Sequence, residues 1–216
     1  MNEFYNSSLS NKRIAISILL IVCIPLFSYL FNIYAKQYDI SLMVSFNLFT
    51  CILLIYDWNL FGIHYNRSKK DIQFTIIYII VGVIAIGILS ILNTLLFHGN
   101  LVLPKKTTLT SYGYARPGLF LGFSFVQSLA LSIFYKCLTD RFQIQNKELQ
   151  TILISSFVIG FIYLVAFNPF DLYVWIKTYV YNIILIAILA YLYNQSHSLL
   201  PGCIAMGIVY FILMLI

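Results

Sequence analysis

The sequence predicts an all-α, polytopic membrane protein, and three observations predict it. Residues of the set AVILMFWYC make up 61% of the 216 and charged residues 9%, against roughly 45–50% apolar and about 25% charged in soluble domains. Mean hydropathy is +0.91, which leaves little chain for a globular domain outside a bilayer. The apolar residues fall in long runs between polar breaks, without the alternation of a membrane β-barrel. These features predict one integral membrane domain over residues 1–216, with the lipid bilayer as its first partner.

A helix of about 20 apolar residues crosses roughly 30 Å of hydrocarbon, and seven runs qualify as candidate spans. The first, from about Ile14 to Ala35, contains Pro25, which a membrane helix tolerates as a kink. The second, from about Ile40 to Phe61, ends in Tyr56, Asp57 and Trp58, an interfacial signature. The third, from about Ile72 to Phe97, is long enough to tilt and carries Gly82 and Gly87. A polar stretch from His98 to Pro117 follows. The fourth, Gly118 to Leu138, opens with a GxxxG pattern at Gly118 and Gly122 that lets helix backbones approach closely. A hydrophilic connector leads to the fifth, about Thr151 to Phe167, which Asn168 and Pro169 end sharply. The sixth falls within Leu172 to Tyr193, with Lys177 placed to snorkel to the interface. Asn194 to Ser198 is a short turn, and the seventh span, Leu199 to Ile216, carries Pro201 and Gly202 in its first turn, where proline costs least. An eighth crossing or a re-entrant piece is the alternative count.

Thirteen Lys and Arg against seven Asp and Glu give a net charge of +6. In a chain of this hydropathy the excess reads as topology and headgroup attraction, not nucleic-acid binding. With a cytoplasmic N-terminus, the inside connections hold Lys12, Arg13, Arg67, Lys69, Lys70, Lys136, Arg141 and Lys147, and the outside set is Lys36, Lys105, Lys106, Arg116 and Lys177. The balance favours N-inside. Cys23, Cys51, Cys137 and Cys203 stand singly in or beside apolar runs, which supports neither a disulfide framework nor a cysteine metal site. Residues 1–11 are polar and the run after them is too long for a signal-peptide core, so the first span reads as uncleaved.

Ionisable groups inside a bilayer are expensive and mark function by default, and here they are few. His64, His98 and His197 fall in connections or at span ends, no HExxH occurs, and no zinc ligand set forms. The pattern Gly122-Phe-Ser124 lacks the intramembrane base that a nucleophilic serine needs. Ser124, Gln127, Ser128, Ser132, Tyr135, Lys136, Ser155, Ser156, Tyr163, Asn182 and Tyr210 are the polar residues of the last four spans. Singly, such serines bond across helices or back to their own i−4 carbonyls. Together they point to a polar pocket in the C-terminal half.

Three stretches carry a family resemblance. They are Leu129-Ala-Leu-Ser-Ile-Phe-Tyr-Lys-Cys-Leu, Ile154-Ser-Ser-Phe-Val-Ile-Gly-Phe-Ile-Tyr163, and Ala190-Tyr-Leu-Tyr-Asn-Gln-Ser-His-Ser-Leu-Leu-Pro-Gly-Cys-Ile-Ala-Met206. In order and spacing they resemble the three blocks of the CAAX protease and bacteriocin-processing (CPBP, or Abi) family. The resemblance covers about 118 to the end. It implies a CPBP-like core over 118–216, with 1–117 contributing N-terminal helices and the polar loop. In that family the first block carries two adjacent glutamates and, four residues after the second, an arginine. The second block reads Phe-x-x-x-His and the third His-x-x-x-Asn, all surrounding a water or metal used in peptide hydrolysis. Here Leu131 and Ser132 stand at the glutamates, Lys136 at the arginine, Ile159 and Tyr163 at Phe and His, and Met206 and Tyr210 at the last His and Asn. A general base must titrate near the attacked centre, so the resemblance implies a scaffold without the protease chemistry.

The first functional expectation is a non-proteolytic CPBP-like protein of a bacterial, Gram-positive type plasma membrane that binds or positions a membrane or cell-envelope protein. The residues at the family's active-site positions, Ser132, Tyr135, Lys136, Tyr163, Met206 and Tyr210, would form its ligand or partner pocket. The second is a membrane enzyme component acting on lipids or lipoproteins, as in lipoprotein N-acylation. Lys136 and Cys137 are its candidate catalytic pair, because a nearby cation lowers a thiol pKa. The third is a bacteriocin-immunity protein or a small transporter, although the inverted repeats common in transporters are missing. No cofactor, metal or nucleic-acid partner is expected.

Overall fold

The computed structural model describes residues 10–35, 38–96, 125–126, 128–133, 135, 148–166 and 172–215. The described residues form α1 Asn11–Ala35, α2 Tyr38–Tyr56, α3 Trp58–Lys70, α4 Ile72–Leu96, α5 Glu148–Ala166, α6 Leu172–Ser196 and α7 Leu200–Leu215. The described residues between Phe125 and Tyr135 are helical too, and no strand occurs among the described residues. The all-α expectation holds. Two helices, over Asn11–Tyr34 and Ile72–Leu96, are long and apolar enough to cross a membrane, and a third span arises if Asn47–Tyr56 and Trp58–Lys70 are one bent crossing. The Gly118 and Gly122 pair lies outside the described residues.

α1 and α2 form a hairpin, α5 and α6 form a second pair, and α4 packs against both α6 and α7. The packing is inverted relative to a soluble bundle. On α4 the buried residues are Gly82, Ile86, Ser90 and Asn93, while Ile76, Ile80, Ile84, Ile88 and Ile91 are each at least half exposed. Serines recur at the buried contacts: Ser17, Ser28, Ser41, Ser45, Ser155 and Ser156 are all buried. Four of these hydroxyls donate to backbone carbonyls, as expected of helical serine. Ser45 Oγ donates to Ser41 O at 2.5 Å, and Ser155 and Ser156 donate to Ile152 O at 2.8 and 2.7 Å. Ser28 Oγ crosses from α1 to Ser41 O on α2 at 3.4 Å.

Small residues set how closely the helices approach. A Cβ built on Gly82 would lie 2.7 Å from Ala205 Cβ on α7 and 2.8 Å from Leu192 Cδ1 on α6. Ser90 Oγ lies 3.3 Å from the Tyr181 hydroxyl. As α4 advances from 82 to 90, its partner on α6 recedes from 192 to 181, so α4 and α6 run antiparallel.

The structure corrects the second expected span at its far end. The helix breaks at Asp57, and α3 turns 84° away from α2, forming a helix where a polar connection was expected. Asp57 is buried at 1% exposure and does not cap α3 with its side chain. Its carboxylate instead accepts from Arg13 Nε at 3.1 Å and from Ser17 Oγ at 2.7 Å. Arg13 Nη2 also donates to Tyr56 O at 2.6 Å, with the guanidinium 5.6 Å from the centre of the Tyr56 ring. Only a paired carboxylate is cheap to bury, so the start of α1 fixes the corner between α2 and α3. α3 in turn buries Leu60, His64 and Ser68, one residue per turn along a single stripe. Lys177 is buried on α6 at 8% exposure.

Two outcomes are expected. Arg13→Gln strands a buried carboxylate and lowers stability by up to about 3 kcal/mol, and adding Asp57→Asn recovers much of the loss in a double-mutant cycle read by thermal unfolding in detergent. Gly82→Ala lowers the melting temperature, because overpacking of about 1–3 kcal/mol exceeds the ~1 kcal/mol helix gain from replacing glycine. Combining it with Ala205→Gly restores stability. Gly87→Ala, with no atom within 4 Å of the new Cβ, leaves the melting temperature unchanged or raised.

Candidate functional site

Polar side chains converge at the bundle end where α5 begins, α6 gives way to α7 and α3 crosses. The reversal between α6 and α7 needs a left-handed residue, and His197 supplies it with φ 50, a conformation common just past a helix end. Ser196 Oγ donates to Leu192 O at 2.7 Å and accepts from Ser198 N–H at 3.2 Å. Ser198 precedes α7, its Oγ accepting from Leu200 N–H at 3.3 Å. The same oxygen accepts from Ser68 Oγ at 2.8 Å and donates to His64 O at 3.1 Å. Ser198 is 1% exposed, and its one donor and two acceptor positions are all used. Arg67 Nη1 donates to His197 O at 3.0 Å. Two successive faces of α3 thus close on one turn.

Beside this clasp runs a line of rings. His64, buried at 1%, meets Tyr193 edge-on at 5.7 Å, and Tyr193 meets Tyr135 edge-on at 5.4 Å, the geometry aromatic quadrupoles favour. The Tyr135 hydroxyl donates to Asn194 Oδ1, and Asn194 Nδ2 donates to Glu148 Oε1. The chain Tyr135–Asn194–Glu148 ties the helical position of Tyr135, the end of α6 and the start of α5 together. His197 is exposed at the surface of the turn, and partial desolvation, and next the Arg67 cation, hold its pKa below the ordinary 6.5, with Glu148 acting the other way.

The expected pocket residues divide. Tyr135 belongs to this polar end. Ser132 is 2% exposed and its hydroxyl donates to Leu129 O at 2.9 Å. Leu131 and Met206 are 1% and 0% exposed, inside the apolar core. Ser128 faces Cys203, and its Oγ lies 3.7 Å from where a Gly202 Cβ would stand. Tyr163 and Tyr210 occupy helical positions in α5 and α7, their side chains outside the described set, and Lys136 and Cys137 lie outside the described residues altogether. Among the described residues, no group of three or more His, Cys, Asp or Glu could hold a metal ion.

Sequence reasoning did not find Arg13–Asp57, His64, Arg67 or Glu148 as members of polar clusters. The available signal was weak: each stands at the edge of an apolar run or in a polar connection, and its partner stands 40 or more residues away for Asp57, Arg67 and Glu148. Compared with protein families, curated proteins and solved structures, the chain matches none.

A pH effect follows from His197. Because its folded pKa is depressed, its contribution to stability is full above about 6.5 and is lost as pH falls through the folded value. Melting temperature is therefore expected to drop on the acid side of 6.5. His197→Asn, which keeps a side chain tolerant of positive φ and removes the titrating group, flattens that drop. An unchanged acid slope in the variant would assign the effect to other groups.

Proposed function

We propose that this chain is a seven-span membrane protein of CPBP-like architecture, N-terminus cytoplasmic, that binds or positions a membrane or cell-envelope protein without proteolysis. One observation carries the reading. Leu131, Ser132 and Met206, at the positions where the resembled family keeps its water-activating groups, are packed into apolar surroundings at 1%, 2% and 0% exposure. A water held for hydrolysis needs polar neighbours and room, and this region offers an apolar core instead. A scaffold commonly outlives its chemistry.

The exterior supports the membrane part of the reading. Outward isoleucines on α4, joined by Leu19, Leu26, Leu30 and Ile33 on α1, form an apolar surface that is stable against hydrocarbon or another protein. The N-inside orientation draws support from the contacts of Arg13 with Asp57 and of Arg67 with the α6–α7 turn. They bring Arg13 and Arg67, two of the cations counted on the cytoplasmic side, to one bundle end. At the same end, the Tyr135–Asn194–Glu148 chain leaves the Glu148 side of α5 exposed, where a partner can read it.

Mild-detergent purification of the tagged full chain is expected to recover a stoichiometric membrane or envelope protein. Tyr135→Phe and Asn194→Ala are expected to lower that recovery severalfold while the chain still accumulates, and Gly87→Ala to leave it unchanged. Recovery of an acylated chain or a retained lipoprotein substrate, insensitive to these substitutions, would overturn the reading in favour of lipoprotein chemistry.

A further inference from the structure

We infer that α3 lies in the plane of the membrane surface and gathers anionic phospholipid headgroups, an inference that rests on the membrane-embedded reading above. α3 has 13 residues, about 20 Å of helix, which is too short to cross a bilayer. It leaves α2 at 84°, so with α2 upright it runs along the surface. Both of its ends are pinned across the bundle end. Asp57 before its first residue is held by Arg13 and Ser17, and Arg67 and Ser68 in its last turn hold the α6–α7 turn.

The two sides of α3 differ in the way an interfacial helix requires. Leu60, His64 and Ser68 face the protein, whereas Trp58 and Tyr65 are 63% and 52% exposed. Such amphipathic rings prefer headgroup depth. Lys69 and Lys70 end the helix as exposed cations. The described charges of this end are Lys12, Arg13, Arg67, Lys69 and Lys70 against Asp57, Asp71 and Glu148. Arg13 and Asp57 pair with each other, which leaves Lys12, Arg67, Lys69 and Lys70 against Asp71 and Glu148 among the described charges. The exposed field is therefore positive beside an aromatic edge, which complements phosphate on an apolar support more closely than it does an acidic protein surface.

The full chain with Trp175→Phe, which leaves Trp58 as its sole tryptophan, is reconstituted in phosphatidylcholine vesicles with or without phosphatidylglycerol. Quenchers are attached at headgroup depth or deep in the acyl chains. Trp58 is expected to be quenched most by the headgroup probe. In the otherwise native chain, phosphatidylglycerol is expected to be enriched among co-purified lipids. Lys69→Gln and Lys70→Gln each reduce that enrichment, by about fivefold at low salt. Strongest quenching by the deep probe, access only to aqueous acrylamide, or an enrichment indifferent to both lysines would overturn the inference. Indifferent lysines with loss of a co-purifying acidic protein would assign the patch to that partner. Carbonate extraction is read in parallel. A chain that washes off the membrane defeats the embedded reading and this inference together, whereas a retained chain with a deep or aqueous Trp58 defeats this inference alone.

Discussion

With Ile76, Ile80, Ile84, Ile88 and Ile91 turned outward, α4 buries Gly82, Ile86, Ser90 and Asn93 against its neighbours, with Val83 and Leu89 partly buried beside them. That constraint shapes the rest of the bundle. Where the outside is apolar, burying more hydrocarbon between helices gains little, and association depends on close backbone approach and on hydrogen bonds. Gly82 supplies the approach, bringing α4 against Ala205 and Leu192. Ser28, Ser90 and Ser68 supply side-chain bonds from α1 to α2, from α4 to α6 and from α3 to the α6–α7 turn.

The same logic explains why polar groups collect at one end. An isolated buried carboxylate or imidazole is costly, and the chain meets that cost by bringing such groups to elements that start or finish there. Asp57 reaches Arg13 and Ser17, His64 stacks in a ring line, and Ser198 serves three partners at once. α3 connects these clusters, its first residue beside the Arg13 contact and its last turn on the Ser198 clasp. The helix that sequence patterning treats as a connection helps couple the N-terminal hairpin to the C-terminal helices, alongside the direct packing of α1 on α5.

Much of the helical framework was legible in the sequence, because long apolar runs bounded by polar breaks leave few alternatives: α1, α4 and α6 begin and end within a few residues of the expected spans. A chain reversal after the sixth run and the serine bonds to preceding carbonyls were legible for the same local reason, although α6 continues through Ser196 and the reversal falls at His197 to Leu199. The break at Asp57 was not. A carboxylate between Tyr56 and Trp58 has the composition of a membrane interface, and only Arg13 and Ser17, placed by tertiary structure, turn it into a buried corner. The polar end was equally hidden, since Tyr135, Glu148 and Asn194 lie on three separate elements and no local pattern joins them.

The most direct test of this account is a nitroxide scan along α4 from 80 to 93 in reconstituted vesicles, read as accessibility to oxygen and to a water-soluble nickel complex. The account predicts a helical period. Positions 80, 84, 88 and 91 should be open to oxygen and closed to nickel, and positions 82, 86, 90 and 93 closed to both. High nickel access at 80, 84, 88 and 91, or a flat profile along the helix, would contradict it.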